Sequence, residues 1–408
     1  MTAAKQSGSD LVIGDIFAGC GGLSFGATLS GSNVSFAVEM DKWAAQSFAA
    51  NFPESRVICQ DILDISDSEI INYLSDGIDI LLGGPPCQGF SQSNINKDPG
   101  DPRNSLFSEF IRFVRLTSPK ICILENVKGL LTAINVDGKR VVEIIIEEFE
   151  NHGYEAEFKV LDAANYGVPQ HRERLFIVAK RGGEKRFIWP KKTHVEYPHQ
   201  TKLGELNTLS PLVTLGEAIG DLPLVTVDCP INVKYSTEPT CEFQRWMRNG
   251  FSGQLSHHEP MKHTKRIVER FKEIKVGQGE SSANLRNKPA IRGKPEETSS
   301  NTYGQNHRRL SADKPSNTIP ASSHTNFIHP NLHRNFTVRE LMRIQSFPDS
   351  FTLQGKRAVL SRSLSIKKGY LDDLHLDQRQ QIGNAVPPLL ASALVTAAKN
   401  WIMECELV

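Results

Sequence analysis

The chain contains no Cys-x-x-Cys pair, no His-Glu-x-x-His and no dinucleotide-type Gly-x-Gly-x-x-Gly. It also lacks any apolar run near the roughly 18 residues that a membrane span needs. Its seven cysteines are odd in number and scattered, which argues against a disulfide framework and a structural zinc site and fits a reducing, cytoplasmic compartment. Residues 1–10 are polar, without the apolar stretch of an export signal. Net charge is nearly absent too, at +1. That balance hides an asymmetry: residues 251–345 hold 16 Lys and Arg against 8 Asp and Glu, a surplus of +8 that leaves −7 for the remainder. Such a segment either faces a polyanion or is simply a solvated surface. What the chain does have is length and core: 408 residues, 39% hydrophobic, enough for a large domain and an accessory one.

Up to about residue 180, short apolar runs alternate with helical patterns. Residues 11–17, 34–39, 57–61, 78–82 and 121–125 read as strands. Residues 42–51, 66–75, 104–117 and 141–151 repeat apolar side chains at three- and four-residue spacing, as Leu106, Phe110, Phe113 and Val114 do. This rhythm predicts an α/β fold, a doubly wound Rossmann-like sheet whose ligands sit beyond the carboxyl ends of its strands. Gly19, Gly21 and Gly22 after the first strand suit close approach of a cofactor, or form an ordinary turn. Glu39, 20 residues after Gly19, suits ribose hydroxyls, or is a charge at a helix start. By the same geometry Asp61 would meet an adenine amino group, with Ile62 beside the ring.

The strand at 78–82 runs into Gly83-Gly84-Pro85-Pro86-Cys87-Gln88-Gly89-Phe90-Ser91. Glycines allow close approach and prolines hold φ, so Cys87 is presented on a rigid elbow. Alone, it reads as a nucleophile or as a small buried apolar side chain. Other blocks keep it company: Asp15-Ile16-Phe17-Ala18-Gly19-Cys20-Gly21-Gly22, Glu125-Asn126-Val127, Gln170-His171-Arg172-Glu173-Arg174 and Gln381-Ile382-Gly383-Asn384. Arg172 and Arg174 alternate on an extended segment and are expected to share a face, unless they are salt-bridged sheet-edge residues.

Together, in that order, these blocks resemble the DNA (cytosine-5)-methyltransferases of bacterial restriction-modification type. The resemblance implies an S-adenosylmethionine site at Phe17, Gly19, Gly21, Gly22, Glu39, Met40, Asp61, Ile62, Pro86, Leu106, Asn384, Ala385 and Val386. Met40 stands where the family often has an aromatic residue that stacks on adenine. It implies catalysis by Cys87, Glu125, Arg172 and Arg174: the thiolate adds to carbon 6 of an extruded cytosine, Glu125, its pKa raised by burial, serves ring nitrogen 3, and the arginines hold the carbonyl oxygen, the glutamate and phosphate. Gln88 and Ser91 would touch the DNA beside the nucleophile. No metal is required.

Beyond residue 181 the alternation stops, and the stretch to about 336 is loop-rich. Its basic part includes His257, His258, Lys262, Lys265, Arg266, Arg292, Lys294, Arg308 and Arg309 and is expected to face duplex phosphates. Thr337-Val338-Arg339-Glu340 is a capping-box pattern opening a helix over 338–345; the family resemblance implies that Arg339 and Arg343 there are mostly structural. Residues 354–380 exceed the length usual in the family and carry Lys356, Arg357, Arg362, Lys367 and Lys368, as an extra DNA contact or a disordered loop. A final apolar helix over 389–402 returns the chain to its first domain. The expected organisation is a discontinuous catalytic domain, 1–188 and 376–408, and a smaller target-recognition domain, 189–375. The enzyme is expected to be a monomer acting on double-stranded DNA away from membranes, with a companion restriction endonuclease acting separately. The alternatives are a cytosine-5 methyltransferase of transfer RNA and a catalytically silent DNA-binding relative. The DNA-type loop after Cys87 speaks against the first, and the presence of Cys87, Glu125 and both arginines against the second.

Overall fold

Five runs of aliphatic and β-branched residues form the parallel centre of a seven-stranded sheet: β1 (Val12–Ile16), β2 (Asn33–Val38), β3 (Arg56–Ile58), β4 (Ile80–Gly83) and β5 (Ile121–Val127). The computed structural model describes residues 11–74, 77–86, 106–135, 137–182, 185–196, 209–226, 233–251, 253–284, 290–291, 294–298, 307–322 and 327–406. Covered on both faces, β4 and the first four residues of β5 are apolar along their length, whereas β2 starts with an alternation that exposes Asn33 and Ser35. The expected strands stand within a few residues of their expected bounds. Two more, β6 (Tyr154–Asp162) and β7 (Glu173–Arg181), complete the order β3-β2-β1-β4-β5-β7-β6, with β7 antiparallel to both neighbours.

Helices α1 (Gly22–Leu29), α2 (Lys42–Asn51), α3 (Asp67–Tyr73), α4 (Leu106–Thr117) and α5 (Val141–Asn151) flank this sheet. Local chemistry sets their starts. The Asp41 carboxylate accepts from Trp43 N and Ala44 N at the head of α2, and Ser66 with Glu69 makes a capping box on α3. Phe110, Phe113 and Val114 of α4 join Phe36, Phe149 and Leu124 in the main core. Burying each such side chain contributes about 1.5–3 kcal/mol.

The chain steps outward from β1 to β2 and β3, then returns to place β4 on the other side of β1. That reversal opens a crevice at the carboxyl ends of β1 and β4, where ligands of such sheets bind. The C-terminal helix (Pro388–Glu406) packs on α1, so closely that a Cβ on Gly26 would stand 2.3 Å from Ala391 Cβ.

The chain divides into two compact units, one of Met1–Asp162, Glu173–Lys191 and Pro388–Val408, the other of Ala163–Arg172 and Lys192–Pro387. Residues 163–172 and 376–387 thus group with the second unit. There, short helices α6 (Leu215–Ile219), α7 (Glu242–Arg248), α8 (Lys265–Glu273), α9 (Val338–Ile344), α10 (Arg362–Lys368) and α11 (Gln378–Asn384) stand among loops. Buried ion pairs tie them together: Arg343 to Asp349 at 2.7 Å and Asp221 at 3.2 Å, and Arg248 to Asp221 at 2.6 Å. Arg339 donates to Pro348 O and Phe351 O, and Thr337 with Glu340 makes the expected capping box. Both arginines are buried and bonded within the second unit, a structural placement in line with the expectation for them.

Candidate active site

At the tip of β2 the Glu39 carboxylate is buried and accepts from Gly19 N at 2.7 Å and Asp41 N at 2.8 Å. One acidic side chain therefore joins the glycine turn after β1 to the turn before α2. Burial pushes its carboxyl up, and these amide bonds oppose the shift. Gly19 has φ +57° and a hypothetical Cβ there would meet nothing within 4 Å, so its backbone borders open space. Gly21, at φ +97°, admits no side chain because Phe52 would lie 2.5 Å from it. Phe17 adopts φ 60° without being glycine. Asp61 caps a 3₁₀ turn by accepting from Leu63 N at 3.1 Å, Ile62 is buried, Met40 is 65% exposed and Leu106 packs half-buried on the main core.

Asp15 was not singled out by the sequence beyond its place in a motif. Its Oδ2 accepts from Ser24 Oγ at 2.6 Å, while Oδ1 is buried without a hydrogen-bond partner among the described residues. Burial first, and Glu39 beside it, push its carboxyl up to about 7. Asp15 and Glu39 repel one another, as do Glu39 and Asp41. A pyrophosphate would worsen that repulsion. A cationic ligand with ribose hydroxyls relieves it, so the residues present fit S-adenosylmethionine better than a dinucleotide.

The second half of the site is assembled where β4 and β5 end side by side. A Cβ on Gly83 would stand 2.7 Å from Ile16 O, so only glycine lets the strand tips approach. A Cβ on Gly84 would lie 3.2 Å from Glu125 Oε2, which sets that carboxylate against the backbone three residues before Cys87. Asn126 Nδ2 donates to Pro85 O at 3.0 Å, clamping the elbow to β5. The sequence offered a sign of this clamp only in the pairing of Glu-Asn-Val with Pro-Cys-Gln. Arg174 Nε stands 3.0 Å from Glu125 Oε1. Pro86 is exposed and ends the described stretch; Cys87, Gln88 and Ser91 lie outside the described residues.

Arg172 has other partners. Buried in the second unit, it donates to Gly383 O at 2.9 Å and more distantly to Asn384 O and Ile319 O. Gln345 Nε2 donates to Ile382 O at 2.7 Å, and Gln170 Nε2 to Gln345 Oε1 at 2.9 Å. These buried bonds hold the end of α11, where Asn384 is exposed, Ala385 half-buried and Val386 buried.

The expected DNA-facing cations divide. Lys262, Lys265 and Arg266 are exposed and Arg308 is half-buried. Arg309 is instead buried, donating to Ile274 O, Phe271 O, His329 O and Leu332 O, which makes it a cross-link of the domain interior. His258 is buried between Thr337 Oγ1 and Pro223 O, and His257 Nε2 accepts from Leu353 N. Arg292 lies outside the described residues, as does the side chain of Lys294. Among the described residues no helix is long and apolar enough to cross a membrane, and no cluster of His, Cys, Asp and Glu is arranged to hold a metal ion.

Residues 11–400 match the family model described as C-5 cytosine-specific DNA methylase. The chain is 40% identical over 394 residues to the Type II methyltransferase M.DdeI of Desulfomicrobium norvegicum, covering 96% of this chain and 88% of that one. It is 35% identical to the Type II methyltransferase M1.HphI of Haemophilus parahaemolyticus, over 94% of this chain and 85% of that one. Among solved structures, a putative DNA modification methyltransferase encoded within an E. coli prophage superposes with a TM-score of 0.69 at 23% identity, covering 97% of this chain and 100% of that one. That likeness concerns the fold.

Proposed function

The chain belongs to the C-5 cytosine-specific DNA methylases and is a DNA cytosine-5 methyltransferase, and from that premise we propose that it methylates an extruded cytosine within a specific duplex sequence through a transient bond to Cys87. The observation that carries the proposal is the Glu125 carboxylate, packed on Gly84 and joined to Arg174 beside the elbow that leads to Cys87.

Carbon 5 of cytosine is a poor nucleophile, and adding a thiolate at carbon 6 turns it into an enamine carbon. Cys87 forms that sulfur–carbon bond as electrons move toward ring nitrogen 3. Glu125 hydrogen-bonds at that nitrogen, where charge develops, and Arg174 holds the carboxyl in place. S-adenosylmethionine, when bound, supplies an electrophilic methyl group on a sulfonium. Phe17, Gly19, Gly21, Glu39, Asp61 and Ile62 would hold it at the ends of β1–β3, with Leu106 and Pro86 as further contacts. Once carbon 5 carries the methyl group, loss of its proton to a base expels the Cys87 thiolate and restores the aromatic ring.

A base stacked in a duplex is out of reach of such a pocket, so the nucleotide must be rotated out. Lys265 and Arg266 support the DNA reading: they occupy the first turn of α8, where the helix dipole disfavours cations, so helix stability does not account for them. The test is incubation of the purified protein with duplex DNA and S-adenosylmethionine, followed by nucleoside mass spectrometry. New 5-methylcytosine is expected. Its absence from every duplex, or its appearance on transfer RNA alone, overturns the proposal.

A further inference from the structure

Residues 354–380 form an excursion that the chemistry above does not use. Its base is closed by hydrogen bonds: Gln378 Nε2 to Gly355 O at 3.0 Å, Gln381 Nε2 to Gln354 O at 3.1 Å, Gln378 N to Lys356 O at 2.9 Å and Val359 N to Asp377 Oδ2 at 3.0 Å. Lys356 Nζ pairs with Asp373 Oδ1 and Arg357 with Glu259, at 2.5 and 2.8 Å. A loop tied at its base in this way carries its tip as an ordered element. The tip consists of α10, its left-handed cap Gly369 and a 3₁₀ turn, Leu371–Leu374.

Two kinds of side chain are exposed there together. Ile366, Tyr370 and Leu371 are 55%, 50% and 69% exposed. Beside them Arg362, Lys367 and Lys368 are exposed and make no ion pair among the described residues, while Lys368 Nζ lies 5.9 Å from the Tyr370 ring. Of the two acidic residues of the turn, Asp373 is taken up by Lys356, leaving Asp372. An exposed apolar group kept next to unpaired cations marks a contact surface. The excess of one charge sign favours a polyanion over an apolar protein face. Aliphatic and aromatic side chains among lysines and arginines are also what duplex-binding surfaces place against sugars and base steps.

We propose that this tip is a further duplex-binding surface, with Arg362, Lys367 and Lys368 on phosphates and Ile366, Tyr370 and Leu371 against the groove. The proposal rests on the DNA reading above. Its test is the affinity of the full-length enzyme for duplex DNA between 50 and 200 mM salt, for wild type and for the triple variant Arg362→Gln, Lys367→Gln, Lys368→Gln. Three lost phosphate contacts at a slope of about 0.9 each mean that wild type loses about 40-fold more affinity than the variant over that range. The rate at saturating DNA is expected to be unchanged. The double variant Ile366→Ala, Leu371→Ala is expected to weaken binding without altering the slope.

If wild type and the triple variant show the same slope while both methylate DNA, the tip does not touch the duplex and the inference fails alone. Equal slopes with lost self-association in sedimentation would assign the tip to a second copy of the chain and overturn it likewise. If wild type methylates no DNA, the functional reading itself falls.

Discussion

Glu125 Oε1 and Arg174 Nε stand 3.0 Å apart across the neighbouring strands β5 and β7, with side chains 12% and 15% exposed. The antiparallel register, which pairs Val127 with Arg174 and Glu125 with Phe176, brings them together diagonally. The position of the carboxyl thus depends on a strand inserted against the direction of the parallel sheet.

Arg174→Lys keeps the charge but loses the planar fork that grips the carboxylate from a set direction. A hydrogen bond to a charged group contributes about 1.5–3 kcal/mol, so the rate at saturating DNA and cofactor is expected to fall roughly 10- to 100-fold. Single-turnover methyl transfer checks it. An unchanged rate would mean that the pair only supports the sheet.

Gly26→Ala is expected to force α1 and the C-terminal helix apart, because the added carbon would meet Ala391 Cβ at 2.3 Å and Ser392 N at 2.7 Å. Overpacking of this kind costs about 1–3 kcal/mol. The midpoint of thermal unfolding should drop by several degrees, and a truncation before residue 388 should be worse still. A midpoint equal to wild type would show that the two helices separate without cost.

Asp15 and three histidines of the second unit act on stability with opposite signs. Asp15 has its carboxyl raised from 3.8 to about 7 by burial, so it holds a proton that the unfolded chain releases. Its contribution is present below about pH 4 and lost as pH rises toward 7, at most about 4 kcal/mol. His257, His263 and His329 are pushed down from 6.5 to about 4, again chiefly by burial. Their contribution is lost as pH falls from 6.5 toward 4. Asp15→Asn should flatten the decline in melting temperature between about pH 4 and 7, and the second unit should lose protection from hydrogen exchange first in acid. Parallel melting curves for wild type and Asp15→Asn would contradict the first expectation, and simultaneous loss of protection the second.

Much of the first unit is legible in the sequence because its innermost parallel strands are buried on both faces and hence apolar, as in Ile80 to Leu82 and Ile121 to Leu124. β6 escapes such reading: Glu155, Glu157 and Lys159 interrupt its apolar side chains, and its place is set by pairing with β7. The place of Glu39 at the tip of β2 was legible from the strand pattern, but the Asp15 Oδ1 left without a hydrogen-bond partner among the described residues was not. In the second unit, counting charge could not separate Arg309, enclosed by carbonyls, from Lys262 or Lys265, which reach solvent. The excursion at 354–380 was visible as an insertion, whereas its order arises from bonds made by Gln378 and Asp377.

The most direct measurement is trapping on a duplex that carries 5-fluorocytosine at the target, with S-adenosylmethionine present. Fluorine at carbon 5 does not leave as a proton does, so the adduct is expected to persist, shift the protein in denaturing electrophoresis and map by mass spectrometry to the peptide holding Cys87. Cys87→Ser should still bind the duplex and form no trapped species. A trapped complex attached at another residue, or one that survives Cys87→Ser, would contradict the account.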